Sequence, residues 1–305
     1  MLDATTHPVF AKFHTDTRTV PSGFVQDSFL GTIRRQDILE SPSDDRTVAE
    51  GDAATFPHFD EEYHEWIDLL ESIVAADGSY TFAELGAGFG RWSVRAAFAA
   101  EQLGGLKTTL VAAEPEHTHF LWLNEHLRAN QIDPASHVLV EAAVNDVDGV
   151  VSFTVDSGRE EHADLRPSRW YGQAIWRDQP VKQCARKILG AIRPSVRLNW
   201  SLAEVKAISL ASLLQRCGTV DLADMDVQGA ELTILSRHID RATSQIKRLH
   251  IGTHSRAIEK GLRHLLSTNG WECLVDLPCN ATNTTPFGTT FFGDGVQSWI
   301  NTNLS

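Results

Sequence analysis

Cysteine is scarce in this chain: 305 residues hold four, Cys184, Cys217, Cys273 and Cys279. No two form a CxxC pair and none sits in a Cys/His zinc spacing, which excludes the common zinc-ribbon and dithiol patterns. They read as reduced thiols packed as small hydrophobes. Long basic runs are absent, and the formal net charge is −13. Neutralising phosphates takes a dense basic surface, so no nucleic-acid partner is expected. Long apolar runs are also missing. None approaches the roughly 20 residues that span a bilayer, and Met1–Lys12 holds no apolar core of signal-peptide length. A cytoplasmic chain with no membrane partner is the expectation. No internal repeat or low-complexity tract is evident.

The composition is 42% hydrophobic and 22% charged, which fits a folded globular chain. The length suits one large α/β domain with an added segment. Residues 1–58 lack sustained periodicity and read as irregular with short strands. Tyr63, Trp66, Ile67, Leu70 and Ile73 recur at helical spacing and predict a helix over Asp60–Ala75. From Tyr80 the pattern alternates. Strands are expected at Tyr80–Leu85, Thr108–Ala113, His137–Val144, Gly149–Val155, Val220–Asp226 and Ile246–Thr253. Helices are expected at Arg91–Leu103, Glu116–Asn130, Gln228–Ile239 and Ser255–Ser267. Gly270–Asp276 and Thr289–Phe292 are expected to close the chain as strands. Such alternation implies an α/β fold, a mainly parallel sheet with helices on both faces. Two final strands without an intervening helix imply an antiparallel edge. Residues 1–78 are therefore taken as an extension or cap, and 79–305 as the main domain. An insert at about 156–203, rich in Trp and charge, interrupts it and suits a lid or a satellite fold.

The chemistry-bearing segment is Glu84-Leu85-Gly86-Ala87-Gly88-Phe89-Gly90, at a strand-to-helix turn. Glycine allows positive φ and lets amides face a ligand. The G-x-G-x-x-G dinucleotide fingerprint fails here, because Arg91 stands where its third glycine would be. Glu114 ends the next strand in Ala113-Glu114-Pro115-Glu116, where ligands of open α/β sheets bind. Its carboxylate suits a ribose hydroxyl pair. It suits equally a helix N-terminus, favoured by the macrodipole, with Pro115 as first helical residue. After the third strand, Glu141-Ala142-Ala143 offers small residues for a flat ring beside Asn145 and Asp146. An ordinary strand and turn is the alternative.

These segments, together with Asp221–Leu232 (DLADMDVQGAEL), resemble the FkbM family of methyltransferases. Asp226, Val227, Gly229, Ala230 and Glu231 match the family's usual form; Asp224 and Gln228 depart from a common Lys and Glu. The resemblance covers roughly residues 80–300. It implies a Rossmann-like class I fold with seven strands, S-adenosylmethionine as cofactor, and methyl transfer to an oxygen of a small molecule, natural product or sugar. The cofactor residues it implies are Glu84, Gly86, Ala87, Gly88, Gly90, Trp92, Glu114, Pro115, Ala142 and Asp226.

Methyl transfer requires an aligned acceptor and the removal of one proton. Asp226 and Asp224 share one strand face. They could hold a divalent cation, act as base plus positioning group, or leave Asp224 paired with a buried cation. No metal site is assigned, because the spacing shows no further ligands. His250 and His254 flank the end of the following strand, and His254 is the candidate to organise an acceptor hydroxyl with Asp226. A structural role for His254 is the alternative. In the insert, Tyr171 and Gln173 are candidates to face the acceptor, or part of an aromatic cluster under a loop. Three other functions remain: N-methylation with the same carboxylates, a non-catalytic cofactor-binding module, and a nicotinamide-dependent oxidoreductase. A homodimeric state is allowed for.

Overall fold

The computed structural model describes residues 6–36, 56–156, 174–175 and 200–304. Its centre is a seven-stranded sheet. In chain order the strands are β3 (Ser79–Leu85), β4 (Lys107–Ala113), β5 (Val138–Val140), β10 (Leu222–Met225), β11 (Arg248–Thr253), β12 (Trp271–Leu277) and β15 (Gly295–Asn301). Across the sheet the order is β12-β15-β11-β10-β3-β4-β5. Strands β5, β4, β3, β10 and β11 are mutually parallel, and β15 runs antiparallel to both of its neighbours.

Two expectations about this sheet need correction. The antiparallel strand is not at the edge: β15 lies between β11 and β12. It is also not Thr289–Phe292. That segment forms β14 (Gly288–Phe292) of a separate hairpin with β13 (Ala281–Thr285). Gln297, Ser298 and Asn301 on β15 are fully buried. Polar side chains of this kind disguise a central strand as a surface one.

The pleat explains how the sheet is covered. Tyr80, Phe82, Leu110, Ala112 and Leu222 face one apolar layer; Ala83, Leu85, Val111, Ala113 and Ala223 face the other. Helix α1 (Tyr63–Ala75), α2 (Arg91–Gln102) and α3 (His117–Ala129) supply residues to the first layer. Helix α4 (Leu210–Leu214), α5 (Glu231–Gln245) and α6 (Arg256–Ser267) pack on the second. Helices thus lie on both faces, as the alternation implied. Helix α5 starts three residues later than expected and has non-helical backbone at His238.

Among the described residues, several N-terminal ones that read as irregular are built into this core. Val9, Phe10, Phe13, Phe29 and Leu30 are buried against α1. Strands β1 (Phe24–Gln26) and β2 (Ile33–Arg35) form a short hairpin. The expected strand His137–Val144 is two: β5 stays in the main sheet, whereas β6 (Ala143–Asn145) leaves it. A four-stranded second sheet follows, ordered β6-β9-β7-β8. It contains β7 (Gly149–Asp156), β8 (Ala174–Ile175) and β9 (Trp200–Ser209). Strand β9 pairs along β7, its Trp200 opposite Asp156, and is not among the strands the sequence pattern predicts.

Candidate active site

The glycine turn follows β3, and three successive amides fix it to β4. Gly86 and Ala87 donate to the Ala113 carbonyl at 3.1 and 3.0 Å. Gly88 donates to the Glu114 carboxylate at 2.8 Å. Gly86, Gly88 and Gly90 all have positive φ, which a Cβ would penalise. A Cβ on Gly90 would also stand 2.1 Å from Leu123 of α3. Ala87 is buried, and Gly90 caps α2.

Glu84 is buried, and its carboxylate accepts from the backbone amides of Trp92 (3.2 Å) and Ser93 (2.9 Å) and from the Ser93 hydroxyl. It satisfies the first turn of α2, where a carboxylate is favoured. Burial nevertheless pushes its pKa up to about 8. Trp92 was expected at the cofactor. Its indole instead stacks edge-on against Trp66 at 5.0 Å, with the Arg95 guanidinium 4.3 Å from both rings. The side chain binds α1 to α2, and its amide donates to Glu84.

Glu114 stands just past β4. One oxygen accepts from Gly88 and the other from Glu116. Burial raises its pKa to about 8. Each oxygen keeps lone-pair capacity, so two further hydroxyl donors would suit it. A ribose hydroxyl pair therefore fits this donor set. Pro115 is half-buried beside it, and Ala142 is buried on the stretch leaving β5.

A row of polar side chains crosses the sheet below the turn. Register places Glu84 beside Asp224, Asp224 beside His250, and His250 beside Ser298. Helix α1 covers the row. Asp68 accepts from Ser298 and meets His250 Nδ1 at 2.7 Å. Burial opposes charge on His250, but Asp68 raises its pKa by hydrogen bond and charge. Among the described residues, the charges that act most strongly on Asp224 are those of His250, Asp226 and Asp68, none of them an Arg or Lys. Burial raises Asp224 to about 6, and Glu65 of α1, hydrogen-bonded to it, is pushed well above the usual carboxylate range by burial and the Asp224 charge. Asp224 and His250 are buried and belong to the fold's interior.

Asp226 follows β10 and is exposed. Its amide donates to Leu85, and its carbonyl touches Gly86. Gln228 holds its carboxylate, Nε2 donating to Oδ1 at 2.8 Å. His254, just past β11, lies between two acids: Nε2 is 3.3 Å from Asp226 Oδ1 and Nδ1 is 3.0 Å from Glu231 Oε1. Burial disfavours an imidazolium there, but Asp226 and Glu231 outweigh it and raise the pKa to about 10. A pKa of about 10 describes an imidazolium at neutral pH, set between the Asp226 and Glu231 carboxylates. Glu231, overlooked as a site residue, is fully buried at the start of α5. A Glu in a first helical turn ordinarily reads as an exposed dipole partner, so only its place in the Asp221–Leu232 motif singled it out. Tyr171 and Gln173 lie outside the described residues.

The parallel sheet, glycine turn and acidic residue past β4 define a class I α/β fold, in which ligands bind beyond the strands' carboxyl ends. No family model matches the chain. A protein of Jannaschia sp. (strain CCS1), provisionally named a methyltransferase, is 28% identical over 275 residues, covering 89% of this chain and 90% of its own length. Among solved structures, methyltransferase FkbM from Methylobacillus flagellatus KT is 11% identical with a TM-score of 0.42. That likeness covers 73% of this chain, which spans only 44% of the other. A precorrin-6y C5,15-methyltransferase from Geobacter metallireducens GS-15 is 11% identical over 81% of this chain and 92% of its own, with a TM-score of 0.42. Structural likenesses this shallow carry no assignment of activity.

Among the described residues, no helix is long and apolar enough to cross a membrane.

Proposed function

We propose that the chain is an S-adenosylmethionine-dependent methyltransferase acting on a hydroxyl of a small molecule. The observation that carries this reading is the contact between the glycine turn and Asp226: a cofactor cradle and an exposed carboxylate share one wall of the cleft. The Jannaschia relative, similar over nine-tenths of this chain's length, supports the methyltransferase part.

When bound, the cofactor supplies the electrophilic methyl group and its leaving group. The chain's residues do the rest. Glu114 holds the ribose hydroxyls, and the Gly86–Gly90 turn, without side chains at its glycines, lets the cofactor approach its backbone closely. Asp226 accepts the acceptor's hydroxyl proton at a carboxylate oxygen, within reach of the cradle. Imidazolium His254 and Gln228 fix that carboxylate's direction. Tyr171 and Gln173 are proposed to contact the acceptor.

The test is transfer of labelled methyl from S-adenosylmethionine to a panel of hydroxyl and amine acceptors. Asp226→Asn is expected to lower turnover on a hydroxyl acceptor by about 10²- to 10⁴-fold, the usual range for a general base. Transfer confined to amines, or full turnover in Asp226→Asn, would overturn the reading.

A further inference from the structure

We propose that Glu231 is a positioning residue for proton transfer: acting through His254, it holds Asp226 with one carboxylate oxygen, Oδ2, presented to the acceptor hydroxyl. The role rests on the methyltransferase reading, whereas the Glu231–His254–Asp226 arrangement does not. The imidazole bridges the two acids. Glu231 Oε1 meets Nδ1 at 3.0 Å, and Nε2, on the other side of the ring, stands 3.3 Å from Asp226 Oδ1. The three residues lie after β10, at the start of α5 and after β11, so the fold assembles the set.

Each member is held by the one before it. The Gly229 amide donates to Glu231 Oε1 at 2.9 Å, so backbone sets that carboxylate's direction. The chain reaches this geometry through a turn with Gln228 at φ +54° and Gly229 at φ +100°, a conformation that side chains rarely adopt. An acid on one imidazole nitrogen orients the ring and aims the other N–H. Here that N–H faces Asp226. Gln228 Nε2 also donates to Asp226 Oδ1, at 2.8 Å. Both holders therefore act on Oδ1. Among the described residues no hydrogen bond or ion pair engages Oδ2, and the side chain is half exposed.

Helix stability alone does not account for Glu231. An exposed acid in a first turn gains the same dipole benefit. Glu231 is instead 0% exposed, and burying a carboxylate is costly unless it is paired. Its pair is the His254 ring. Two other carboxylates face that ring: Asp226, and Asp294 before β15, whose Oδ2 is 3.9 Å from Nε2. Both are open to water, which screens their charge, whereas the enclosed Glu231 acts unscreened. Glu231 is therefore the acid that keeps the ring charged and oriented.

In the transfer, the acceptor oxygen bonds to the methyl carbon, and the carbon–sulfur bond breaks with its electron pair left on sulfur. The hydroxyl proton passes to Asp226 Oδ2. His254 keeps both ring protons throughout, and Glu231 touches no reacting atom. Together they fix the angle at which Oδ2 meets the hydroxyl. A misplacement of about 1 Å at such a contact can cost about 10²-fold in rate.

The experiment titrates the full chain by NMR with ¹³C-labelled histidine rings, the His254 signal being assigned by its loss in His254→Gln. The wild-type ring should be protonated at pH 8 and titrate near pH 10. In Glu231→Gln the midpoint should fall by at least about 1 pH unit. Methyl transfer to the best hydroxyl acceptor of the panel gives the second readout. Glu231→Gln should lower kcat by about 10²-fold, leave the acceptor KM little changed, and move the alkaline limb of the kcat profile down with the ring's midpoint. A merely structural glutamate would leave limb and midpoint in place. Folding is checked by circular dichroism. Should Glu231→Gln not fold, His254→Gln takes its place and should show the same loss of kcat. The proposal is overturned if wild-type His254 is neutral at pH 8, if folded Glu231→Gln keeps the wild-type midpoint, or if either folded variant keeps the wild-type kcat. An unmoved midpoint in a chain that transfers methyl defeats this inference alone. Transfer to no acceptor defeats the methyltransferase reading and the proton-transfer role with it, while the ring titration still decides the Glu231–His254 pair.

Discussion

Gly86 and Asp226 touch through their backbones: a Cβ built on Gly86 would stand 2.0 Å from the Asp226 carbonyl oxygen. The φ of Gly86 is +96°. Two strands carrying the two halves of the site are thereby locked at one distance. Gly86→Ala is expected to cost about 2–5 kcal/mol from backbone strain and overpacking together. Chemical denaturation measures the loss, and calorimetry should show S-adenosylhomocysteine binding weakened in whatever fraction folds. A variant as stable as wild type would deny the contact.

Glu114 gives a proton-linked prediction. With burial raising its pKa to about 8, the carboxyl is largely protonated at pH 7 in the free chain. Two ribose hydroxyls donating to it favour the charged form, so ligand binding releases a proton. Calorimetry at pH 7 in buffers of different ionisation enthalpy should show release approaching one proton, abolished in Glu114→Gln. Buffer-independent heats in the wild type would contradict this role.

The charge on His254 sets a pH dependence of stability. Its folded pKa, about 10, lies above the unfolded value of 6.5. The folded state therefore binds the extra proton. The contribution is full below pH 6.5 and is lost as pH rises through 10. The melting-temperature gap between wild type and His254→Gln should narrow steadily from pH 6 to pH 10. A gap constant over that range would mean that His254 is neutral in the fold.

Asp68 is expected to be structural. It joins α1 to β11 and β15 through His250 and Ser298, all buried. Removing one partner of a buried pair costs roughly 3–5 kcal/mol. Asp68→Asn should lose stability in denaturant on that scale while the folded fraction keeps its affinity for S-adenosylhomocysteine. Weakened ligand affinity with stability intact would place Asp68 in the site instead.

The parts of this design that were legible in the sequence are those with strict local rules. The Gly86–Gly90 turn requires glycine for its backbone, and parallel strands buried on both faces read as apolar runs. The misread parts depend on distant partners. β15 carries Gln297, Ser298 and Asn301, which are polar yet buried because the side chains of Asp276 and Asp68, the backbone of Glu259 and the α5–β11 turn satisfy them. Phe291 and Thr289 have better strand composition but close only a hairpin. In the site, Asp226 and His254 stood out by position past their strands. Glu231 did not, because its burial comes from packing that no spacing displays, and the packing of Trp92 on Trp66 was not legible because that partner lies on a helix before the turn.

The central claim is that the cleft beyond β3, β4 and β10 binds the methyl donor. Calorimetric titration of the folded chain with S-adenosylhomocysteine and, separately, with NAD tests it most directly. The account predicts saturable one-to-one binding of S-adenosylhomocysteine, weakened in Glu114→Gln, and no binding of NAD. Binding of NAD without S-adenosylhomocysteine would contradict it.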